Sequence, residues 1–195
     1  MTLLETIKIK NNKIFNIHYH NERVNKTRRS LFGADDYIAL EEIISIPKGN
    51  ELLKCRIIYD SEIQKIEFET YKMRSIKSLK IIHSDSIDYQ YKYADRSEIN
   101  KLLELKEECD DILIVKDNRI SDTSFTNIAF YDGVNWLTPA APLVKGTKRA
   151  KLIDNGKIIE KDIFLNDLKT FKKAILFNSM IEFDDELIID IKNIF

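Results

Sequence analysis

Two stretches of the 195-residue chain are rich in cations and could bind an anion. Lys145–Lys151 combines a glycine, a hydroxyl and four cations at the start of a predicted helix. Free N–H groups and the positive end of the helix dipole attract phosphate there, and glycine lets a ligand come close to the backbone. The stretch lacks the GxxxxGK(S/T) spacing, which argues against nucleoside triphosphates. Arg23–Arg29 has three arginines and one lysine on another predicted helix, but such runs are usually a solvated face.

A polar run, Asp122–Asn127, offers hydroxyl groups and one acid between two predicted strands. It is either an ordinary turn or a cluster of donors around a phosphate, with one negative charge for a protonated ring. His18 and His20 lie two residues apart, and no acidic residue completes a metal-ligand spacing, so we predict no metal site. The chain contains no GxSxG, HExxH or glycine-rich dinucleotide motif.

The elements that must position these residues fall into two predicted domains, 1–84 and 85–195. Alternation of apolar and polar residues predicts a strand over Leu4–Lys10. A polar helix is predicted over His20–Phe32, with Gly33 as its stop. A second helix is predicted over residues 35–45, and strands over 53–59, 63–68 and 76–82. The first domain is therefore predicted to be a small α/β unit.

The second predicted domain is larger and mixed. Helices are predicted over residues 97–108, 148–153 and 164–171, and strands over 111–115, 174–177 and 187–191. Asp132 and Gly133, between two apolar runs, predict a hairpin. The fold class predicted for the whole chain is α/β (α+β).

Composition excludes several classes of protein. The mass is 22.9 kDa, the net charge is −1, and 44% of the residues are hydrophobic, which is typical of a globular domain. Near-neutral charge argues against nucleic-acid binding. No apolar run reaches the roughly 18 residues of a membrane span, and the N-terminus has no apolar signal core. Cys55 and Cys109 are too few for a disulfide framework, so we expect a cytoplasmic protein.

The chain resembles the fold-type IV pyridoxal-phosphate enzymes in five stretches that follow the family's order. Leu4–Ile7 is similar to the opening "FET" strand, His20–Val24 to the HxxR helix, and Tyr91–Arg96 to the segment with the cofactor-binding lysine. Ile120–Ile128 resembles the "VTEGxxSNxF" strand. Leu137–Pro139 followed by Lys145–Arg149 resembles the "TP…GxxR" phosphate loop.

The resemblance implies pyridoxal 5'-phosphate as cofactor, held in a cleft between the two domains. It assigns Lys92 to the covalent bond with the cofactor, Arg23 to the phosphate, and Asp122 to the ring nitrogen, where the family generally carries glutamate. The remaining phosphate donors it assigns are Ser124, Thr126, Thr147 and Lys148. Because the family builds its active sites at a dimer interface, we expect a homodimer.

Two features favour the 4-amino-4-deoxychorismate lyases within this family. Lys92 and Arg96 have a KxxxR spacing similar to the lyases' "KHLNR" segment, and Phe177–Met180 resembles their "NS(L/M)" segment. Arg96, Asn178 and Ser179 are then predicted to bind a small amino substrate, which would yield pyruvate and 4-aminobenzoate, a folate precursor. Asn178 and Ser179 equally fit a strand-end turn. Two alternatives stay open: an aminotransferase acting on a branched-chain or D-amino acid, and a degenerate protein without catalysis.

Overall fold

The computed structural model describes residues 1–195, and internal contacts divide the chain into two units. The first unit contains residues 1–72 and 91–95, and the second contains 73–90 and 96–195. The predicted boundary between residues 84 and 85 stays a prediction, because contacts alone do not test which segments fold independently. None of the helices combines the length and the apolar character needed to cross a membrane.

The first unit is built on an antiparallel four-stranded sheet in the order β2-β1-β3-β4. Its strands are β1 (Leu3–Lys10), β2 (Lys13–Ile14), β3 (Leu53–Tyr59) and β4 (Ile63–Thr70), which confirms the predicted first strand and the β3–β4 hairpin. Alternate residues of β1 and β3 share one face of the sheet. That face forms the core of the unit with residues Leu3, Ile7, Ile9, Cys55, Ile57 and Tyr59.

The helix α1 (Ile17–Phe32) packs on this core through Val24. It begins three residues earlier than predicted and ends at the predicted Gly33. Gly33 has a φ of 65° and its N–H donates to the carbonyls of Arg28 and Arg29. Glycine adopts this left-handed conformation without strain, which is why it ends the helix cleanly.

The second predicted helix, over residues 35–45, is wrong for most of its length, because α2 (Leu40–Ile43) is a single turn. Side chains of α1 hold the preceding segment extended. Asn25 exchanges two hydrogen bonds with the backbone of Ile38, at 2.8 and 2.9 Å. The side-chain oxygen of Asn21 accepts from the N–H of Leu40 at 3.0 Å. These contacts with the α1 side chains use backbone groups that a longer helix would need for itself.

Residues 91–95 return to the first unit and pair with the N-terminal half of β1. Tyr93 lies opposite Leu3 in an antiparallel bridge. The N–H of Leu4 donates to the carbonyl of Lys92 at 2.8 Å, and the N–H of Ala94 donates to the carbonyl of Thr2 at 3.0 Å. A short segment remote in sequence is thereby fixed beside the strand that carries Glu5.

The second unit contains two sheets. The three-stranded sheet has the order β5-β6-β7, and the five-stranded sheet has the order β10-β9-β8-β11-β12. The strands are β5 (Leu79–His83), β6 (Asp111–Lys116), β7 (Arg119–Thr123), β8 (Asn127–Tyr131), β9 (Trp136–Pro139), β10 (Ile159–Lys161), β11 (Lys173–Phe177) and β12 (Ile188–Asp190). The helices are α3 (Ser97–Leu103) and α4 (Thr147–Asp154).

Several predictions for this unit are confirmed. The predicted hairpin at Asp132 and Gly133 joins β8 to β9. The predicted helix over 148–153 is α4, while the one over 164–171 is a 3₁₀ turn at Leu165–Thr170. The strand β7, which carries Asp122, overlaps the stretch that resembles the "VTEGxxSNxF" strand, although no periodicity predicted it.

Candidate active site

Glu5 is the centre of a buried hydrogen-bonded cluster in the first unit. It lies on the core-facing side of β1, on the same face as Leu3 and Ile7, and none of its surface is exposed. Arg23 Nε donates to Glu5 Oε1 at 2.8 Å, and Arg23 Nη2 donates to Glu5 Oε2 at 2.7 Å. This bidentate pairing compensates a carboxylate that burial would otherwise penalise heavily.

His20 completes the cluster from the turn of α1 before Arg23. Its Nδ1 lies 2.6 Å from Glu5 Oε2, and both side chains are fully buried. Burial alone would raise the pKa of Glu5, but the charge of Arg23 and the hydrogen bond from His20 outweigh it and lower the pKa to about 2. Glu5 is therefore an ionised acceptor, so the proton in the His20–Glu5 bond belongs to His20 Nδ1.

Lys92 belongs to the same unit as this cluster. Its backbone carbonyl is bonded to Leu4, next to Glu5 on β1, and its side chain is half-buried. Burial lowers the pKa of His20, and the positive charges of Arg23 and Lys92 act in the same direction. The structure thus brings together Lys92 and Arg23, two predicted site residues that are far apart in the sequence.

The cationic run Arg23–Arg29 is divided between three roles. Lys26 and Arg29 are exposed, as a solvated face requires. Arg28 departs from that interpretation, because it is only 2% exposed. Its Nη2 donates to both carboxylate oxygens of Asp36 at 2.8 and 2.9 Å. Arg28 therefore holds the loop after α1, and Arg23 is the member of the run that joins the cluster around Glu5.

Asp122 is a buried acid of the second unit. Its Oδ1 accepts from Asn127 Nδ2 at 2.8 Å, and its Oδ2 accepts from the N–H of Val144 at 3.0 Å. Burial raises the pKa of Asp122 to about 6, although these hydrogen bonds and the charge of Arg149 oppose the rise. The backbone N–H of Leu143 also lowers this pKa.

Asn127 links Asp122 to the beginning of α4. Its Nδ2 also donates to the carbonyl of Val144 at 2.9 Å. A Cβ built on Gly146 would lie 2.0 Å from Asn127 Oδ1, so no other residue fits at position 146 without moving this amide. The structure thus gives a second explanation for the glycine at position 146, which is that it makes room for the Asn127 side chain. The predicted role, in which Gly146 lets a ligand approach the backbone, stays a prediction.

The cations after Gly146 are already paired. Lys148 is 3% exposed and its Nζ is ion-paired with Glu182. Arg149 Nη2 donates to Glu160 at 2.6 Å and to the carbonyl of Pro139 at 2.8 Å. Backbone N–H groups at the start of α4, where Thr147 is 4% exposed, are therefore the donors that the predicted phosphate role would use, as expected for Thr147 and Lys148.

Ser124 and Thr126 lie in the turn between β7 and β8, and both are buried. Thr126 closes the turn on Thr123, with the two hydroxyl oxygens 2.8 Å apart. Arg96 Nη2 donates to the carbonyl of Ser124 at 2.7 Å. The turn interpretation of Asp122–Asn127 is thus confirmed. The phosphate role of Ser124 and Thr126 and the substrate role of Arg96 stay predictions.

Asn178 closes the turn that follows β11. Its side-chain oxygen accepts from the N–H groups of Met180 and Ile181 at 2.8 and 3.0 Å, and its Nδ2 donates to the carbonyl of Phe125 at 3.3 Å. These bonds support the strand-end turn of the two interpretations offered for this residue. Ser179 lies beside it, half-buried, and its predicted contact with substrate stays a prediction.

Sequence reasoning did not assign three residues of these clusters: Glu5, His20 and Asn127. A helical spacing of three places His20 and Arg23 on one face, which was a usable signal. The alternation of β1 also put Glu5 on the face of Leu3 and Ile7, but it did not identify the partners of Glu5, which come from another element.

Comparison with known proteins identifies the family of this chain. The model of the amino-transferase class IV family matches residues 54–183. An uncharacterized protein of Haemophilus influenzae is 37% identical over 182 residues, which cover 91% of this chain and 97% of that protein. The chain therefore belongs to the class IV aminotransferase family, and its fold is that of the fold-type IV enzymes, as predicted.

Solved structures give the same result. A crystal structure from Haemophilus somnus 129pt, provisionally described as a 4-amino-4-deoxychorismate lyase, is 34% identical, with a TM-score of 0.88 over 93% of this chain and 97% of that chain. An aminotransferase from Brucella abortus bound to pyridoxal phosphate shares the fold at 14% identity, with a TM-score of 0.72 over 99% of this chain and 81% of that chain. The predicted cofactor is confirmed at the level of the family.

Proposed function

We propose that the protein is a pyridoxal-phosphate-dependent 4-amino-4-deoxychorismate lyase that forms 4-aminobenzoate and pyruvate. The similarity to the Haemophilus somnus protein supports this proposal. A protein of Schizosaccharomyces pombe, provisionally described as an aminodeoxychorismate lyase, adds support, with 35% identity over 65 residues, or 31% of this chain and 28% of that protein. The proposal includes a homodimer, since the family builds its sites at a dimer interface.

The observation that carries the proposal is the placement of Lys92 and Arg23 in one unit. An aldehyde that bears a phosphate requires an amine for its carbonyl and a guanidinium or N–H donors for its phosphate. The first unit contains both the amine of Lys92, whose charge acts on His20, and the guanidinium of Arg23, which binds Glu5. The second unit buries a dense set of polar residues, which suits a polar cofactor better than an apolar ligand: Ser121, Asp122, Thr123, Ser124, Thr126, Asn127 and Thr147.

The residues of each unit have distinct proposed roles. Lys92 binds the aldehyde carbon, and Arg23 donates hydrogen bonds to the phosphate. Asp122 accepts from the protonated ring nitrogen. The other residues proposed to contact phosphate are Ser124, Thr126, Thr147 and Lys148, and those proposed to contact substrate are Arg96, Asn178 and Ser179.

When bound, pyridoxal phosphate supplies an aldehyde that captures the substrate amine and a ring that withdraws electrons from the neighbouring carbon. Lys92 Nζ would hold the cofactor and, once free, would take the proton from ring C4 of the substrate as a general base and return it to the departing enolpyruvyl group, which leaves as pyruvate. Asp122 has a pKa of about 6, so at neutral pH it is mainly a carboxylate and balances the positive ring nitrogen. Loss of the enolpyruvyl group then makes the product ring aromatic.

The test replaces Lys92 by alanine. We expect the wild-type protein to release 4-aminobenzoate and pyruvate from 4-amino-4-deoxychorismate, and Lys92→Ala to lose this activity while remaining folded. Lys26→Ala, which removes an exposed lysine of α1, is the matched control and should keep full activity. Borohydride reduction followed by peptide mapping should place the cofactor on residue 92. A label on another lysine would contradict the assignment.

Transamination is the second candidate, because the matching family is described by that activity. Incubation with a branched-chain or D-amino acid and 2-oxoglutarate separates the two reactions. Rapid conversion of the cofactor to pyridoxamine phosphate would favour the aminotransferase. A protein that takes up no pyridoxal phosphate at all would instead be a degenerate member of the family.

A further inference from the structure

We propose that Glu5, supported by His20, is a positioning residue that fixes the guanidinium of Arg23 for hydrogen bonding to the cofactor phosphate. This inference rests on the phosphate role of Arg23 in the proposed function. It assigns a task to two buried residues that the reaction itself does not use.

The geometry of the pair orients the guanidinium. Glu5 engages the Nε and Nη2 edge of Arg23 with two bonds of 2.8 and 2.7 Å. A guanidinium is planar and its donors form a rigid fork, so two bonds on one edge determine the direction of the opposite edge. Glu5 itself sits on β1, which is held by β3 on one side and by residues 91–95 on the other.

His20 fixes the carboxylate in turn. Its Nδ1 donates to Oε2, the same oxygen that accepts from Arg23 Nη2. His20 and Arg23 are three residues apart on α1 and therefore share a face. The Glu5 carboxylate thus receives three charge-assisted or buried hydrogen bonds, and its rotation would break all of them.

The pairing of Glu5 with Arg23 also has an electrostatic cost for anion binding, and this cost makes the inference testable. An ionised Glu5 cancels most of the charge of Arg23 in its neighbourhood. If net charge governed phosphate binding, removal of Glu5 would strengthen it. If orientation governs, removal of Glu5 weakens it. The two explanations predict opposite signs for one measurement.

The experiment compares two ligands that differ by the phosphate group alone. Dissociation constants for pyridoxal 5'-phosphate and for pyridoxal are measured from the absorbance change on binding, for the wild-type protein, Glu5→Gln and Asp36→Asn. Asp36→Asn is the matched control, because it removes the carboxylate partner of another buried arginine, Arg28, in the same unit.

We expect Glu5→Gln to bind pyridoxal 5'-phosphate about tenfold more weakly or worse, and pyridoxal as the wild type does. The control should match the wild type with both ligands. An unchanged or stronger affinity for pyridoxal 5'-phosphate would overturn the inference, and so would an equal loss for both ligands. A wild-type protein that binds neither ligand would remove the proposed function as well, which distinguishes that failure from the others.

A second variant keeps the test decisive if Glu5→Gln does not fold. His20→Gln leaves the Glu5–Arg23 pair in place and removes the imidazole. We expect a smaller loss of affinity, about threefold, again for the phosphorylated ligand alone. Wild-type affinity for both ligands in a folded His20→Gln protein would show that His20 has no part in positioning.

Discussion

Glu5 in the first unit and Asp122 in the second are both buried carboxyl groups, and the two have opposite pKa shifts. Glu5 is fully buried and its pKa falls to about 2, whereas Asp122 is nearly as buried and its pKa rises to about 6. Burial penalises both anions. The difference lies in the partners, because Glu5 faces a guanidinium and an imidazole, and Asp122 faces neutral amide donors. The charge of the hydrogen-bonding partners therefore decides the direction of the pKa shift.

The two states suit two tasks. A carboxylate with a pKa of about 2 keeps its charge throughout the physiological range, so Glu5 is a fixed structural anion. A carboxyl with a pKa of about 6 lies close to neutral pH. Asp122 can therefore share a proton with a basic ring nitrogen at small cost, as its proposed role requires.

Removal of the two carboxylate charges should have very different effects on the free energy of unfolding. Glu5→Gln leaves Arg23 buried beside a neutral partner, and we expect the free energy of unfolding to fall by about 3–5 kcal/mol. Asp122→Asn loses part of its hydrogen bonding but also loses the penalty of a buried charge, so we expect a change within about 1 kcal/mol at neutral pH. Urea denaturation measures both. A larger cost for Asp122→Asn than for Glu5→Gln would contradict the explanation.

The lowered pKa of Glu5 should make the stability of the protein fall at acidic pH. The pKa of Glu5 is about 2 in the folded protein and 4.5 as its ordinary value, so the unfolded chain binds more protons between these values. Stability from this group is complete above pH 4.5 and is lost as the pH falls toward 2, by about 3 kcal/mol in all. Urea titrations across this range should show the loss in the wild type. A flat profile would show that Glu5 is not held ionised.

The raised pKa of Asp122 should make stability change with pH in the opposite direction, at higher pH than for Glu5. Its pKa rises from 3.8 to about 6 on folding, so the folded protein binds more protons than the unfolded chain between these values. The contribution of Asp122 therefore decreases as the pH rises through that window, by slightly less than the Glu5 effect. His20, whose pKa is lowered, acts in the other direction, and the difference between the wild type and Asp122→Asn removes that common contribution. A difference that does not change with pH would contradict the raised pKa.

The sequence was informative where structure follows local pattern. The strand Leu3–Lys10, the end of α1 at Gly33 and the β8–β9 hairpin all follow from alternation, helix termination and turn residues. The pattern failed where contacts between elements decide. The segment after α1 is extended because Asn21 and Asn25 bind its backbone.

The candidate site shows the same limit. Family resemblance led to Lys92 and Arg23, and spacing would have paired His20 with Arg23. Alternation in β1 puts Glu5 on the same face as Leu3 and Ile7, but nothing in the strand identifies its compensating donors, which lie on α1. The environment of Asp122 likewise depends on Asn127 and on Val144 from a distant loop.

Gly146→Ala tests the structural account of the environment of Asp122. The backbone of Gly146 has φ −67° and ψ 144°, which alanine adopts without strain. The expected cost of about 1–3 kcal/mol therefore comes from the new Cβ, which would lie 2.0 Å from Asn127 Oδ1. The new Cβ must therefore displace the Asn127 amide from Asp122. In an Asn127→Ala background the obstacle is gone, so Gly146→Ala should cost almost nothing there. A double-mutant cycle in urea measures this coupling. Equal costs in both backgrounds would show that a group other than Asn127 requires glycine at position 146. That result would again favour the interpretation that Gly146 lets a ligand approach the backbone.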